Sequence, residues 1–251
     1  MSLPIIAALG FATLVTSFIS GILGMAGGMI LMGVLLAVVT VPAAMLLHGT
    51  TQLASNGWRA YMLRSAIDWR VFRGYAVGSV GAVALFAFVQ VVASKPVALL
   101  MLGLMPFVSL ALPRELHLNV ERPYHSSVCG AICTGLALVA GVSGPVLDVF
   151  FIRSKMGRHA VVATKALSQS LTHLAKIAFF GGVVVATGAD VPPLVAALMV
   201  ALAFGGTTLS RQVLERIDDS RFRQWTRWTV TAIGCVYLVS GTLMLMGGAS
   251  R

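Results

Sequence analysis

GMAGGMILMGVLLAVVTVPAAMLLHGTTQLASNGWR, residues 24–59, and GVSGPVLDVFFIRSKMGRHAVVATKALSQSLTHLAK, residues 141–176, decide how this chain is read. They align without a gap. Adding 117 carries Gly24 to Gly141, Gly27 to Gly144, His48 to Lys165, Gln52 to Gln169, Asn56 to His173 and Arg59 to Lys176. Polar side chains are costly in a bilayer, so two matching rows within apolar segments point to one functional surface built twice.

The lipid setting follows from composition. Of 251 residues, 58% are hydrophobic and 10% charged, whereas soluble domains are usually about one-quarter charged. Apolar runs at about 4–23, 28–40, 43–63, 72–93, 97–112, 124–141, 144–152, 159–183, 191–210 and 225–247 predict an all-α polytopic membrane protein. The first run lacks a basic leader and a small-residue cleavage site, so it is expected to be a retained helix. The runs 28–40 and 144–152 are too short for ordinary crossings and each follows a glycine-rich break. They predict half-helices or re-entrant pieces, tolerated at membrane depth only where protein or a cavity covers them. Close helix packing is the competing explanation for these glycines.

A net charge of +10 does not imply nucleic acid here, because the basic residues lie mostly in short loops. The loop with Arg64, Arg70 and Arg73 is basic, while its counterpart at 187–193 holds only Asp190. The link at 40–42 is uncharged, while its counterpart carries Arg153, Lys155, Arg158 and His159. The stretch with Arg211, Arg216, Arg221, Arg223 and Arg227 is basic, and its equivalent near 94–96 has only Lys95. Equivalent loops therefore fall on opposite sides by the positive-inside rule. The expectation is two inverted-topology repeats, residues 1–112 and 124–251. A cytoplasmic linker at 113–123 joins them, and both termini lie outside.

At 100° per residue, His48, Gln52, Asn56 and Arg59 fall at about 0°, 40°, 80° and 20° around a helix. Lys165, Gln169, His173 and Lys176 share that spacing, so each row is one narrow face about 16 Å long. Gln52 and Gln169 sit near the middle of their spans. The rows contain Arg59, Lys165 and Lys176 and no acidic residue, which favours an anion. Amide and imidazole groups supply directional hydrogen bonds to its oxygens. Gly24, Gly27, Gly141 and Gly144 would turn half-helix N-termini toward it. Arg59 and Lys176 read as cationic approaches near the membrane edges, with snorkelling the alternative. Asp148, on the short second half-helix, is either a proton site or the fixed partner of Lys165, Arg153 or another cation. His48 and His173 are alternative proton carriers.

Other features carry less. Cys129 and Cys133 share a helical face, and Met25, Met29 and Met32 share another; both groups read as packing. Trp58, Trp69, Trp225 and Trp228 read as interfacial anchors. The sequence has no Walker motif, no metal-ligand cluster and no nucleophile–base arrangement, so neither an enzyme nor a cofactor is expected.

The glycine motif Gly24-Met25-Ala26-Gly27-Gly28, its copy Gly141-Val142-Ser143-Gly144-Pro145, and the runs His48-Gly49-Thr50-Thr51 and Ala163-Thr164-Lys165-Ala166 resemble the TauE/SafE sulfite-exporter family of bacterial membrane transporters. The resemblance spans nearly the whole chain. It implies a secondary carrier in the cytoplasmic (inner) membrane for sulfite, sulfonates such as sulfoacetate, or related organic anions, with the glycine breaks and following helices forming the site. The expected function is proton-coupled export by alternating access, and the alternative is a passive anion channel. The expected partners are the anion, the lipid bilayer and protons.

Overall fold

A computed structural model describes residues 1–23, 25–89, 91–111, 118–214 and 219–249, and the described residues contain helices and no strand. The helices are α1 (Leu3–Leu23), α2 (Ala26–Val38), α3 (Val41–Met62), α4 (Trp69–Val89), α5 (Lys95–Ala111), α6 (His125–Ala140), α7 (Gly144–Phe151), α8 (Arg158–Thr187), α9 (Pro193–Leu214) and α10 (Asp219–Ala249). Gly24, Arg216 and the linker residues Pro113, Arg114, Glu115 and His117 lie outside the described residues.

Helix ends follow local chemistry. Proline opens α3 and α7, where its missing N–H costs nothing and its fixed φ suits the first turn. Gly141 ends α6 with φ of 85° and Gly188 ends α8 with φ of 63°, a left-handed geometry that only glycine adopts cheaply. The interruption at Gly141 leaves α7 with eight residues, about 12 Å of helix, and α2 has 13 residues, about 20 Å. Neither crosses a bilayer alone. Among the described residues, five helices (α1, α4, α8, α9 and α10) contain stretches long and apolar enough to do so. At 22 residues α3 is long enough, but its polar row lowers its hydropathy, and His48, Gln52 and Asn56 of that row are buried.

Packing interleaves the two halves. The principal pairs are α3 with α8, α5 with α10, α1 with α9 and α4 with α6. Around α2 a core forms in which Met29, Leu31, Met32, Leu35 and Leu36 are wholly buried. A second core joins Tyr75, Cys129, Cys133, Leu147 and Phe150. Large apolar side chains such as Phe11, Phe88, Val185 and Leu243 face outward, as lipid contact requires.

The loops sort onto two ends of the bundle. The Asp68 amide donates to Thr164 Oγ1 at 2.9 Å, and Asn119 Nδ2 donates to the Arg153 carbonyl at 3.0 Å. These bonds gather the α3–α4 loop, residues 118–122 and the α7–α8 loop at one end, which is therefore basic. At the far end of α8, the Met1 amino group lies 3.8 Å from Asp190.

Candidate functional site

The site is built where α3 and α8 run side by side and the two chain breaks meet between them. The approach of the breaks is tight. A Cβ on Gly144 would lie 2.5 Å from Met25 Cβ, and one on Gly27 would lie 1.9 Å from the Thr16 carbonyl oxygen of α1. Glycine is needed at both positions for close approach. With the N-termini of α2 and α7 brought together, their partial positive charges reinforce one another.

A small cavity of about 20 Å³ opens at this meeting point, room for about one water-sized group. Met25, Gly28, Val142 and Ser143 line it from the breaks, and His48, Gln52, Asn56, Gln169, Thr172 and His173 from α3 and α8. Five of the polar residues singled out by the repeat thus share one cavity. Gly27, Gly141 and Gly144 shape the breaks without lining it.

Within the cavity, hydrogen bonding is uneven. Asn56 Nδ2 donates to the Gln52 carbonyl at 3.0 Å and to Gln52 Oε1 at 3.4 Å. Gln52 Nε2 and His173 Nδ1 are buried without a partner. The His48 and His173 rings meet edge to face, with centroids 5.5 Å apart. His48 Nε2 lies 2.9 Å from the Gly28 carbonyl oxygen, and His48 Nδ1 lies 3.0 Å from Lys176 Nζ. A carbonyl only accepts and an ammonium only donates, so these partners assign the proton to Nε2 and the lone pair to Nδ1.

The cations are placed differently from one another. Lys165 does not line the cavity; it pairs with Asp148, and their side chains are 23% and 38% exposed. Of the two roles the sequence leaves for Asp148, an ion pair with Lys165 is present. Arg59 is half-buried with Nη2 unpartnered. Lys176, expected at a membrane edge, is wholly buried. Its ammonium donates to the Gly141 carbonyl at 2.9 Å as well as to His48. Depth along α8 is not depth in the bundle, because α2 and the α6–α7 break cover this residue.

Exposure changes along both rows. On α8 it falls from half-buried Lys165 and Gln169 to buried His173 and Lys176, and on α3 from half-buried Arg59 to buried Asn56, Gln52 and His48. The site is more open toward the basic end and sealed where His48 meets Lys176.

Sequence reasoning missed the hydroxyl contacts behind the site. Thr172 Oγ1 lies 2.7 Å from Tyr75 Oη of α4 and 3.2 Å from Thr134 Oγ1 of α6, while Ser55 Oγ lies 2.7 Å from Thr207 Oγ1 of α9. Adding 117 to Ser55 gives Thr172, so the same repeat arithmetic applied to hydroxyls would have found them. Each hydroxyl ties a central helix to the fourth helix of the other half.

A family model described as sulfite exporter TauE/SafE matches residues 9–237. No curated protein and no solved structure matches the chain.

Proposed function

Because the chain belongs to the sulfite exporter TauE/SafE family of multi-pass membrane transporters, we propose that it exports a sulfur-containing or organic anion, such as sulfite or a sulfonate like sulfoacetate, across the bacterial cytoplasmic membrane. The observation that carries this reading is a pair of buried nitrogens without partners, Gln52 Nε2 and His173 Nδ1, on residues of one cavity. Leaving a polar group unsatisfied in a protein interior costs about 1–3 kcal/mol. An oxyanion entering the cavity offers acceptors to the Gln52 amide, and to His173 in the tautomer that carries its proton on Nδ1. His48, Asn56 and Gln169 complete the lining, Lys165 and Arg59 mark the approach from the basic end, and the N-termini of α2 and α7 favour negative charge.

Alternating access is the mechanism that best accounts for the packing. Exchanging the two halves converts the α1–α9 contact into α6–α4 and maps the α3–α8 and α5–α10 pairs onto themselves. That pattern fits a pseudo-two-fold relating the halves, of which the inverted form suits alternating access. Loop positions support it: the α3–α4 loop lies at the basic end and its counterpart, holding Asp190, at the other. With the basic end cytoplasmic by the positive-inside rule, both termini lie outside and the site opens inward, the loading state of an exporter. A cavity of about 20 Å³ is smaller than an oxyanion needs, so loading requires the halves to part slightly.

Coupling to protons is assigned to Asp148, whose partly exposed carboxylate would exchange its Lys165 partner for a proton during the cycle. Asp148→Asn is expected to retain anion flux down its own gradient and to lose the acceleration produced by an imposed proton gradient. Unchanged acceleration in that variant would remove Asp148 from coupling. The transport reading itself is tested in proteoliposomes with radiolabelled sulfite, sulfoacetate and other anions. Saturable flux of at least one is expected, and its absence across the panel would overturn the reading.

A further inference from the structure

We infer that Lys176 is the positive charge that sets the charge preference of the occupied cavity, acting through His48, and that Lys165 does not perform this role. The inference rests on the transport-site reading above and assigns the residue that distinguishes a dianion from a monoanion there.

Three cations lie in the two polar rows, and their surroundings separate them. The charge of Lys165 is offset by Asp148 in a partly exposed pair. Arg59 is half-buried toward the basic end. The Lys176 ammonium is wholly buried, and the groups around it are neutral: the Gly141 carbonyl at 2.9 Å, His48 Nδ1 at 3.0 Å and Met32 Sδ at 4.0 Å. Among the described residues no carboxylate lies within ion-pair distance of it.

A cation in such surroundings persists only where something else offsets it. Gly141 caps the C-terminus of α6, so its free carbonyl presents the negative end of that helix dipole to the ammonium. This compensates part of a unit charge, and an anion in the cavity supplies the remaining compensation. His48 stands between Lys176 and the cavity, receiving the ammonium at Nδ1 and directing its own N–H from Nε2. Positive potential therefore reaches the cavity across one imidazole, through a medium of low dielectric that screens it weakly. Among the cavity residues, Gln52 Nε2 is unpartnered and free to donate to an acceptor, as is His173 Nδ1 in the tautomer that protonates it. The charge acts at the closed end, so an anion loading from the open end is drawn toward the seal. A dianion gains more from this field than a monoanion of similar size.

The test compares binding of sulfate, a dianion, with methanesulfonate, a monoanion, by calorimetry on purified full-length protein, alongside sulfite flux in proteoliposomes. Lys176→Met is expected to reduce the preference for sulfate over methanesulfonate at least tenfold. The double variant Met32→Lys with Lys176→Met returns a charge to a side chain that already contacts this point and is expected to recover most of the preference. Lys176→Gln, which keeps a donor for Gly141, is read in place of Lys176→Met if the latter does not fold. An unchanged preference in a folded neutral variant overturns the inference, as does a folded charge-relocated variant without recovery. Failure of all three variants to fold also overturns it, because Lys176 would then be a packing requirement. Wild-type binding without sulfite flux would refute transport while leaving the inference standing. Wild-type flux with a preference insensitive to Lys176 would refute the inference alone. Wild-type protein that binds neither anion and moves no sulfite overturns both.

Discussion

Replacing Gln52 and Gln169 together by alanine is expected to lower saturable anion flux by at least about 100-fold while folded protein remains. Each amide can donate a hydrogen bond to a charged oxygen, worth about 1.5–3 kcal/mol, so two at the lower figure correspond to a factor of more than about 100. Single variants should lose about tenfold. The fold should tolerate the change. Gln52 Nε2 makes no internal bond, and Asn56 keeps its 3.0 Å bond to the Gln52 carbonyl when the side chain is removed. Transport rate in proteoliposomes and elution profile on size exclusion separate the two effects. A folded double variant with wild-type flux would remove the amides from the site.

The second large effect concerns folding. Gly27→Val is expected to prevent accumulation of folded protein, because the added Cβ would lie 1.9 Å from the Thr16 carbonyl oxygen and 2.7 Å from the Ser20 amide nitrogen. These are backbone atoms of α1, so relief requires α1 and α2 to separate and the break to widen. Overpacking a core with side-chain atoms already costs about 1–3 kcal/mol, and a backbone clash costs more. Gly181 on α8 supplies the control, since a Cβ there meets nothing within 4 Å. Gly181→Ala should match or slightly exceed wild-type stability, as expected for alanine in a helix interior. Fluorescence-detected size exclusion of the two variants measures the contrast. Normal yield and thermal midpoint for Gly27→Val would show that this approach is not tight.

Much of the architecture was legible because lipid makes the sequence code severe. The short apolar runs expected at 28–40 and 144–152 are the helices Ala26–Val38 and Gly144–Phe151. Their glycine breaks could be read because helix interruption has few chemical solutions. Helix α10 begins at Asp219, earlier than the apolar run expected from 225, because a helix continues beyond membrane through residues that hydropathy excludes.

Within the site, periodicity identified which side chains share a helical face, and His48, Gln52, Asn56, Gln169 and His173 meet at one cavity. Periodicity carries no information about what covers a face. Lys165 and Lys176 occupy equivalent-looking places in a row, yet one meets Asp148 and the other Gly141 and His48. Lys176 is buried by segments far from it in sequence, and its carbonyl partner exists only because Gly141 leaves the helix. That is tertiary information. The hydroxyl ties at Ser55 and Thr172 were within reach of the sequence, since the repeat pairs them, but serine and threonine are too common in membrane helices to draw attention without it.

The central claim is that one anion site is exposed to the two sides of the membrane in turn. Counterflow tests it most directly. Proteoliposomes loaded with unlabelled sulfite are diluted into a trace of radiolabelled sulfite, and label uptake is followed against empty vesicles. A carrier that returns its site loaded predicts a transient overshoot of label in the loaded vesicles, abolished with Gln52→Ala plus Gln169→Ala. Uptake that equilibrates without overshoot, together with sustained ionic current in planar bilayers, would contradict the account and identify a passive anion channel.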